Sequence, residues 1–99
     1  MSFVCLVEIQ LHFPENASLK GKRKELQSVK AQIQQRFGAS VAETDHHDLW
    51  QRAELSAAVV RRDPAAARDC AARIERFVDS RFPETSSSRS VLVSSDDLL

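Results

Sequence analysis

The chain has no tyrosine, one tryptophan, two cysteines and no apolar run long enough to cross a bilayer, and each scarcity excludes something. A membrane-spanning helix needs about 20 consecutive apolar residues. The apolar start "FVCLV" is five residues long with no basic segment before it, so neither a span nor a signal peptide is expected. Cys5 and Cys70 form no C-x-x-C pair and fall at apolar-face positions, which reads as two reduced core thiols in a cytoplasmic protein. Without tyrosine, and with no serine or cysteine nucleophile placed beside a histidine, no catalytic constellation is visible. The single Trp50 and five phenylalanines provide no aromatic run of the kind that stacks bases on a central strand, so any contact with RNA would be to its backbone or shape.

What is present fits one small domain. A 99-residue chain with 42% hydrophobic and 28% charged residues buries about 60 to 70% of its unfolded surface, enough to fold alone but not to enclose a sizeable catalytic cavity. Residues 1–95 are expected to form this domain, with residues 96–99 a short acidic and apolar tail. The formal net charge is zero, yet residues 19–37 hold six cations against Glu25 alone.

Periodicity gives the elements. Phe3, Cys5, Val7, Ile9, Leu11 and Phe13 recur every second residue, which predicts a long strand with Glu8, Gln10 and His12 on its other face, ended by Pro14 and Asn16. Ser18 is a suitable N-cap for a helix carrying Leu19, the stem of Arg23, Leu26, Val29 or Lys30, Ile33 and Phe37 on its apolar side, closed by Gly38. "SVAETD" at 40–45 and residues 50–62 read as a hairpin around the turn "HHDL". Asp63 and Pro64 open a second helix with the stripe Ala67, Cys70, Ala71, Ile74, Phe77 and Val78, and Pro83 stops it. After a serine-rich link, "RSVLVSS" at 89–95 reads as a last strand.

The order β-α-β-β-α-β predicts an α+β, ferredoxin-like fold, with both helices on one face of a four-stranded sheet in the order 4-1-3-2. If strands one and three run parallel, both helices start at the same sheet edge. Lys20, Lys22, Arg23 and Lys24 would then gather with Arg61, Arg62 and His12 as an anion-facing edge, to which helix N-termini contribute. A solvated lysine-rich helix face is the plainer alternative. "TDHHDLW" carries metal-capable side chains, but no spaced ligand pair exists, and His12 is placed at the far end of the sheet, so a polar turn is expected there and no metal. Facing residues 44 and 51 across the hairpin would pair Glu43 with Arg52. On the sheet face away from the helices, Val4, Leu6, Trp50, Ala58 and Val60 form an apolar patch suited to self-association as a homodimer.

Two runs carry a resemblance. S-L-K-x-K-R at Ser18, Leu19, Lys20, Lys22 and Arg23, with S-V-A-E at Ser40 to Glu43 and D-L-W-Q-R-A at Asp48 to Ala53, is similar to the YlxP-like family of small bacterial proteins, a domain of unknown function. The resemblance covers Phe3 to about Val93. It implies a ferredoxin-like fold and a gene often near genes for translation initiation and ribosome maturation, and it implies no activity, cofactor or catalytic residue. The expectation is therefore a non-enzymatic binding protein, with ribosomal RNA or a ribosomal subunit as partner at the basic edge. The alternatives are a small phosphate-handling enzyme of acylphosphatase type and a dimeric module without nucleic acid. Acylphosphatases share this fold and place an arginine after strand one, whereas the corresponding loop here, "PENAS", lacks glycine and Arg23 falls in the helix.

Overall fold

The computed structural model describes residues 1–14 and 18–99. Its elements follow in the order β1 (Phe3–His12), α1 (Leu19–Phe37), β2 (Ser40–Asp45), β3 (Arg52–Arg61), α2 (Pro64–Arg81), β4 (Ser86–Ser94) and the short α3 (Ser95–Leu98). Alternation carries β1 as expected, with Cys5, Val7, Ile9 and Leu11 buried on one face. The end of the strand assigned to Asn16 lies outside the described residues.

The helix boundaries follow from local chemistry. The Ser18 hydroxyl accepts from the Gly21 amide at 3.1 Å, satisfying one of the donors left open by the first turn of α1. Gly38 closes α1 in the left-handed region at φ 62°, its amide donating to Gln34 O at 3.1 Å. Asp63 caps α2 through Oδ1, which accepts from the Ala65 and Ala66 amides. The buried stripe of α2 is Ala67, Cys70, Ala71, Ile74 and Val78. On α1 the stripe runs Lys22, Leu26, Val29 and Ile33. The inward position expected of Arg23 thus belongs to its neighbour Lys22, and Arg23 is exposed.

The sheet order is β2-β3-β1-β4, the expected order read from the other edge. Both helices cover one face, and the core lies between them and the inward residues of β1 and β3. β1 pairs with β3 and with β4 antiparallel throughout. This corrects the parallel arrangement of strands one and three. A crossover through α1 makes β2 parallel to β1, and the hairpin that follows must then reverse β3. The strand limits also shift: Trp50 and Gln51 belong to the loop before β3, and β4 starts at Ser86, so the serine-rich link is part of the strand.

Candidate functional site

The antiparallel register divides the expected basic edge. His12 lies opposite Arg52 and Phe3 opposite Arg61, so α1 starts at one end of the sheet and α2 at the other. Nine residue steps separate these ends, about 30 Å at the rise of a strand. Lys20, Lys22, Arg23, Lys24 and His12 share the first end, and Arg61 and Arg62 stand at the second. His12 shares its end with the β2–β3 loop, because Arg52 begins the strand that follows that loop, contrary to the separation expected of it. Among the described residues no group of three or more His, Cys, Asp or Glu is arranged to hold a metal ion.

At the first end the basic run is not a uniform surface. Lys22 is 1% exposed. Its aliphatic stem continues the Leu26 stripe, and Nζ emerges under the hairpin loop, donating to His46 O and Leu49 O at 2.5 Å each. The Glu43 carboxylate lies 3.9 Å from that ammonium and equally far from His47 Nε2. His46 takes a positive φ of 63°, its amide donating to Asp45 Oδ1, and Leu49 N returns to His46 O at 3.1 Å. Lys22 thus ties the start of α1 to a turn whose next residues, Leu49 and Trp50, are about half exposed. Through this one ammonium the structure joins the S-L-K-x-K-R run to the D-L-W-Q-R-A run.

Glu43 does not pair with Arg52. In the β2–β3 register Glu43 faces Leu55 and Asp45 faces Glu54, with an irregularity between them at Thr44. Glu43 therefore looks toward the helices and Lys22, whereas Arg52 is on the open face with Glu54, whose carboxylate accepts from Gln10 Nε2 and Thr44 Oγ1.

At the second end Arg61 is also turned inward. Nη2 donates to Phe37 O at 3.1 Å and lies 3.3 Å from Cys70 Sγ, and Nη1 donates to Val60 O at 2.8 Å. A guanidinium over the last carbonyl of α1 complements the negative end of that helix. Arg62 is exposed.

A second group of cations, which sequence reasoning passed over, surrounds a groove between the helices. Arg36, Phe37, Arg73, Arg76, Phe77 and Ser80 line an open cavity of about 620 Å³. The helices run antiparallel, since Arg81 at the end of α2 reaches Gln32 and Ser28 in the middle of α1, whereas Phe77 meets Phe37. The two phenylalanine rings stand 5.9 Å apart at 63°, and the Arg36 guanidinium lies 4.8 Å from the Phe77 ring centre. Among the described residues no acid lines the groove and none of its three arginines is in an ion pair, although Arg76 also borders a neighbouring cavity with Glu75 and Asp79. The signal was available in "RIERF", where Arg73 and Arg76 are one helical turn apart, but only the antiparallel helix packing brings Arg36 to them.

On the open face Val4 pairs with Val60 and Leu6 with Ala58, as expected of the apolar patch, and β4 extends it by Val93 and Val91. Trp50, expected in this patch, stands instead in the loop before β3, at the opposite end of the sheet from Val4 and Val60, 51% exposed. His12, Arg52 and Glu84 border a separate shallow cavity of about 460 Å³ beyond the last turn of α2. Among the described residues no helix is long and apolar enough to cross a membrane.

Comparison with known proteins agrees with this architecture. The sequence model of the family described as "Protein of unknown function (DUF503)" matches residues 4–89. "Uncharacterized protein YlxP" of Bacillus subtilis (strain 168) is 34% identical over 67 residues, 68% of this chain and 72% of that protein. Among solved structures, the de novo designed protein Foldit4 superposes with a TM-score of 0.63 at 11% identity, over 95% of this chain and 98% of its own. A point mutant of SnoaB, a cofactor-independent oxygenase from Streptomyces nogalater, superposes at 0.51 with 16% identity, over 93% and 91%. At such identities these likenesses concern the fold alone.

Proposed function

The chain belongs to the DUF503 family of proteins of unknown function, and from that premise, which assigns no reaction, we propose that it is a binding protein for structured RNA. The phosphate backbone is held in the groove between α1 and α2. One observation carries this reading: three arginines converge on a groove without a single acid, while the chain as a whole is neutral. A guanidinium offers a planar fork of donors that fits phosphate, and three of them on a groove whose own lining holds no acid favour a polyanion there. The Arg36 guanidinium lies over the Phe77 ring, which in turn packs edge-on against Phe37.

The composite edge expected from the sequence is replaced rather than extended. Lys22 and Arg61 spend their donors on backbone carbonyls of the protein itself, which divides the expected edge into exposed Lys20, Arg23 and Lys24 at one end and Arg62 at the other, whereas Arg36, Arg73 and Arg76 line one groove. The gene context implied by the family resemblance makes ribosomal RNA the first RNA to try, in a cytoplasmic setting where Cys5 and Cys70 remain thiols.

The test is fluorescence anisotropy with a labelled RNA stem-loop over a series of potassium chloride concentrations, followed by co-sedimentation with ribosomal subunits. Arg73→Ala and Arg76→Ala should each weaken binding about equally for stem-loops of different sequence and reduce the slope of log affinity against log salt by about one. Lys24→Ala, at the far end, should bind as wild type. Absence of binding at low salt, or a slope untouched by Arg73→Ala and Arg76→Ala, overturns the reading.

A further inference from the structure

The uncovered face of the sheet is the largest surface whose purpose the arginine groove leaves unexplained. Register pairs align Val60, Val4 and Val93 in one row and Ala58, Leu6 and Val91 in the next. Val60 and Val91 are 59% and 52% exposed. The C-terminal residues do not fold over these rows, since Leu98 and Leu99 stand in solvent. Toward the other end the face turns polar, and its side chains are already partnered. Arg89 contacts Glu8 Oε1 at 2.7 Å through both Nε and Nη2, and Gln10 Nε2 donates to Glu54 Oε1 at 2.6 Å.

We propose that this face is covered by the same face of a second copy of the chain. Three features select that occupant. The charges of the face nearly balance, Glu8, Glu54 and Asp45 against Arg52 and Arg89, so it presents no large excess of one sign to attract a polyanion or a polycation. A two-fold axis parallel to the strands and over β1 maps each end of the face onto its like: apolar rows meet apolar rows and polar meet polar. It also lays β3 of one copy across β4 of the other, so that the strand carrying Glu54 faces the strand carrying Arg89, as a self-complementary interface requires. The area fits a weak pair. With the axis over β1 the overlapping strands are β3, β1 and β4, which at about 4.8 Å spacing and about 3.3 Å per residue present about 460 Å² per copy. The pair buries about 920 Å², in the class of weak, transient interfaces.

The dimer leaves both helix layers outward, so its arginine grooves lie on opposite sides and its existence is independent of RNA binding. Sedimentation equilibrium of the full chain, carried to hundreds of micromolar, reads it directly. Wild type should approach twice its 11.1 kDa, whereas Val60→Glu and Val91→Glu should each remain at 11.1 kDa. Both positions are exposed, and an unchanged circular dichroism spectrum checks that the variants are folded. Wild type that stays at 11.1 kDa throughout overturns the proposal, and so does a dimer that survives Val60→Glu, since that outcome assigns pairing to the free edge of β4.

Discussion

Truncating Lys22 tests the inward reading of the basic run most sharply. Lys22→Ala removes an ammonium that donates to His46 O and Leu49 O, leaves Glu43 facing an empty position, and deletes the stem that extends the Leu26 stripe. Three methylenes are worth about 2.4 kcal/mol at about 0.8 each. Two hydrogen bonds from a charged donor add about 3 kcal/mol at the low end of their range, the appropriate end for loop carbonyls that water can partly reach. Relief of the buried ammonium's desolvation offsets part of this sum, so the net loss should be about 3 kcal/mol. In a chain of this size such a loss lowers the melting temperature by about 12 to 24 °C. Lys22→Met restores most of the stem and should recover about half of the loss. Urea unfolding followed by circular dichroism gives the free energies, and fluorescence of Trp50, the sole tryptophan, reports the loop: acrylamide should quench it more strongly in Lys22→Met than in wild type. If Lys22→Ala unfolds within about 0.5 kcal/mol of wild type, as an exposed lysine such as Lys24 should, Lys22 is not an anchor.

Arg61→Ala should cost about 1 to 2 kcal/mol through the lost charged hydrogen bond to Phe37 O at the end of α1, while leaving the salt slope of RNA binding unchanged; a reduced slope would return Arg61 to the ligand surface. Burial raises the Cys5 thiol above its ordinary pKa, against a partial opposing effect of the Arg68 charge. The folded-state pKa exceeds the unfolded one, so this stability is fully present below the unfolded thiol's value of about 8.5 and is lost as pH rises through the folded value. The urea midpoint should therefore decline above about pH 9 less steeply in Cys5→Ala than in wild type. Parallel alkaline declines would contradict this role for Cys5.

Much of the fold was legible because each element announces itself locally. Period-two alternation defined β1, and Ser18 with Gly38 and Asp63 with Pro64 marked helix ends that the structure reproduces. The start of β4 was hidden for the opposite reason: Ser86, Ser87 and Ser88 have no local strand signal, and pairing with Leu11, Gln10 and Ile9 is what makes them extended. Lys22 escaped because the apolar side was phased on Leu19 and the stem of Arg23, although the four-residue spacing of Lys22 from Leu26 already placed it on the buried stripe. The Glu43–Arg52 pair failed through loop length: the connection runs from His46 to Gln51, so Asp45 already faces Glu54 and Glu43 faces Leu55.

The divided edge has a cause that follows from topology alone and bears on how any anion is held. In a chain of two crossovers joined by a hairpin, the two helices must run opposite ways, so each end of the molecule carries the start of one helix and the finish of the other. The half charges of the two dipoles then oppose each other at both ends. An excess of positive potential can therefore come only from side chains, and the two ends use theirs differently: one directs Lys22 into the hairpin, the other directs Arg61 to the end of α1 and leaves Arg36, Arg73 and Arg76 around the groove. A ligand held by backbone amides at a helix start would bind with little counterion release. One held by three arginines must bind with a steep dependence on salt, and for that reason the slope, rather than the affinity, identifies which part of the fold holds the phosphates.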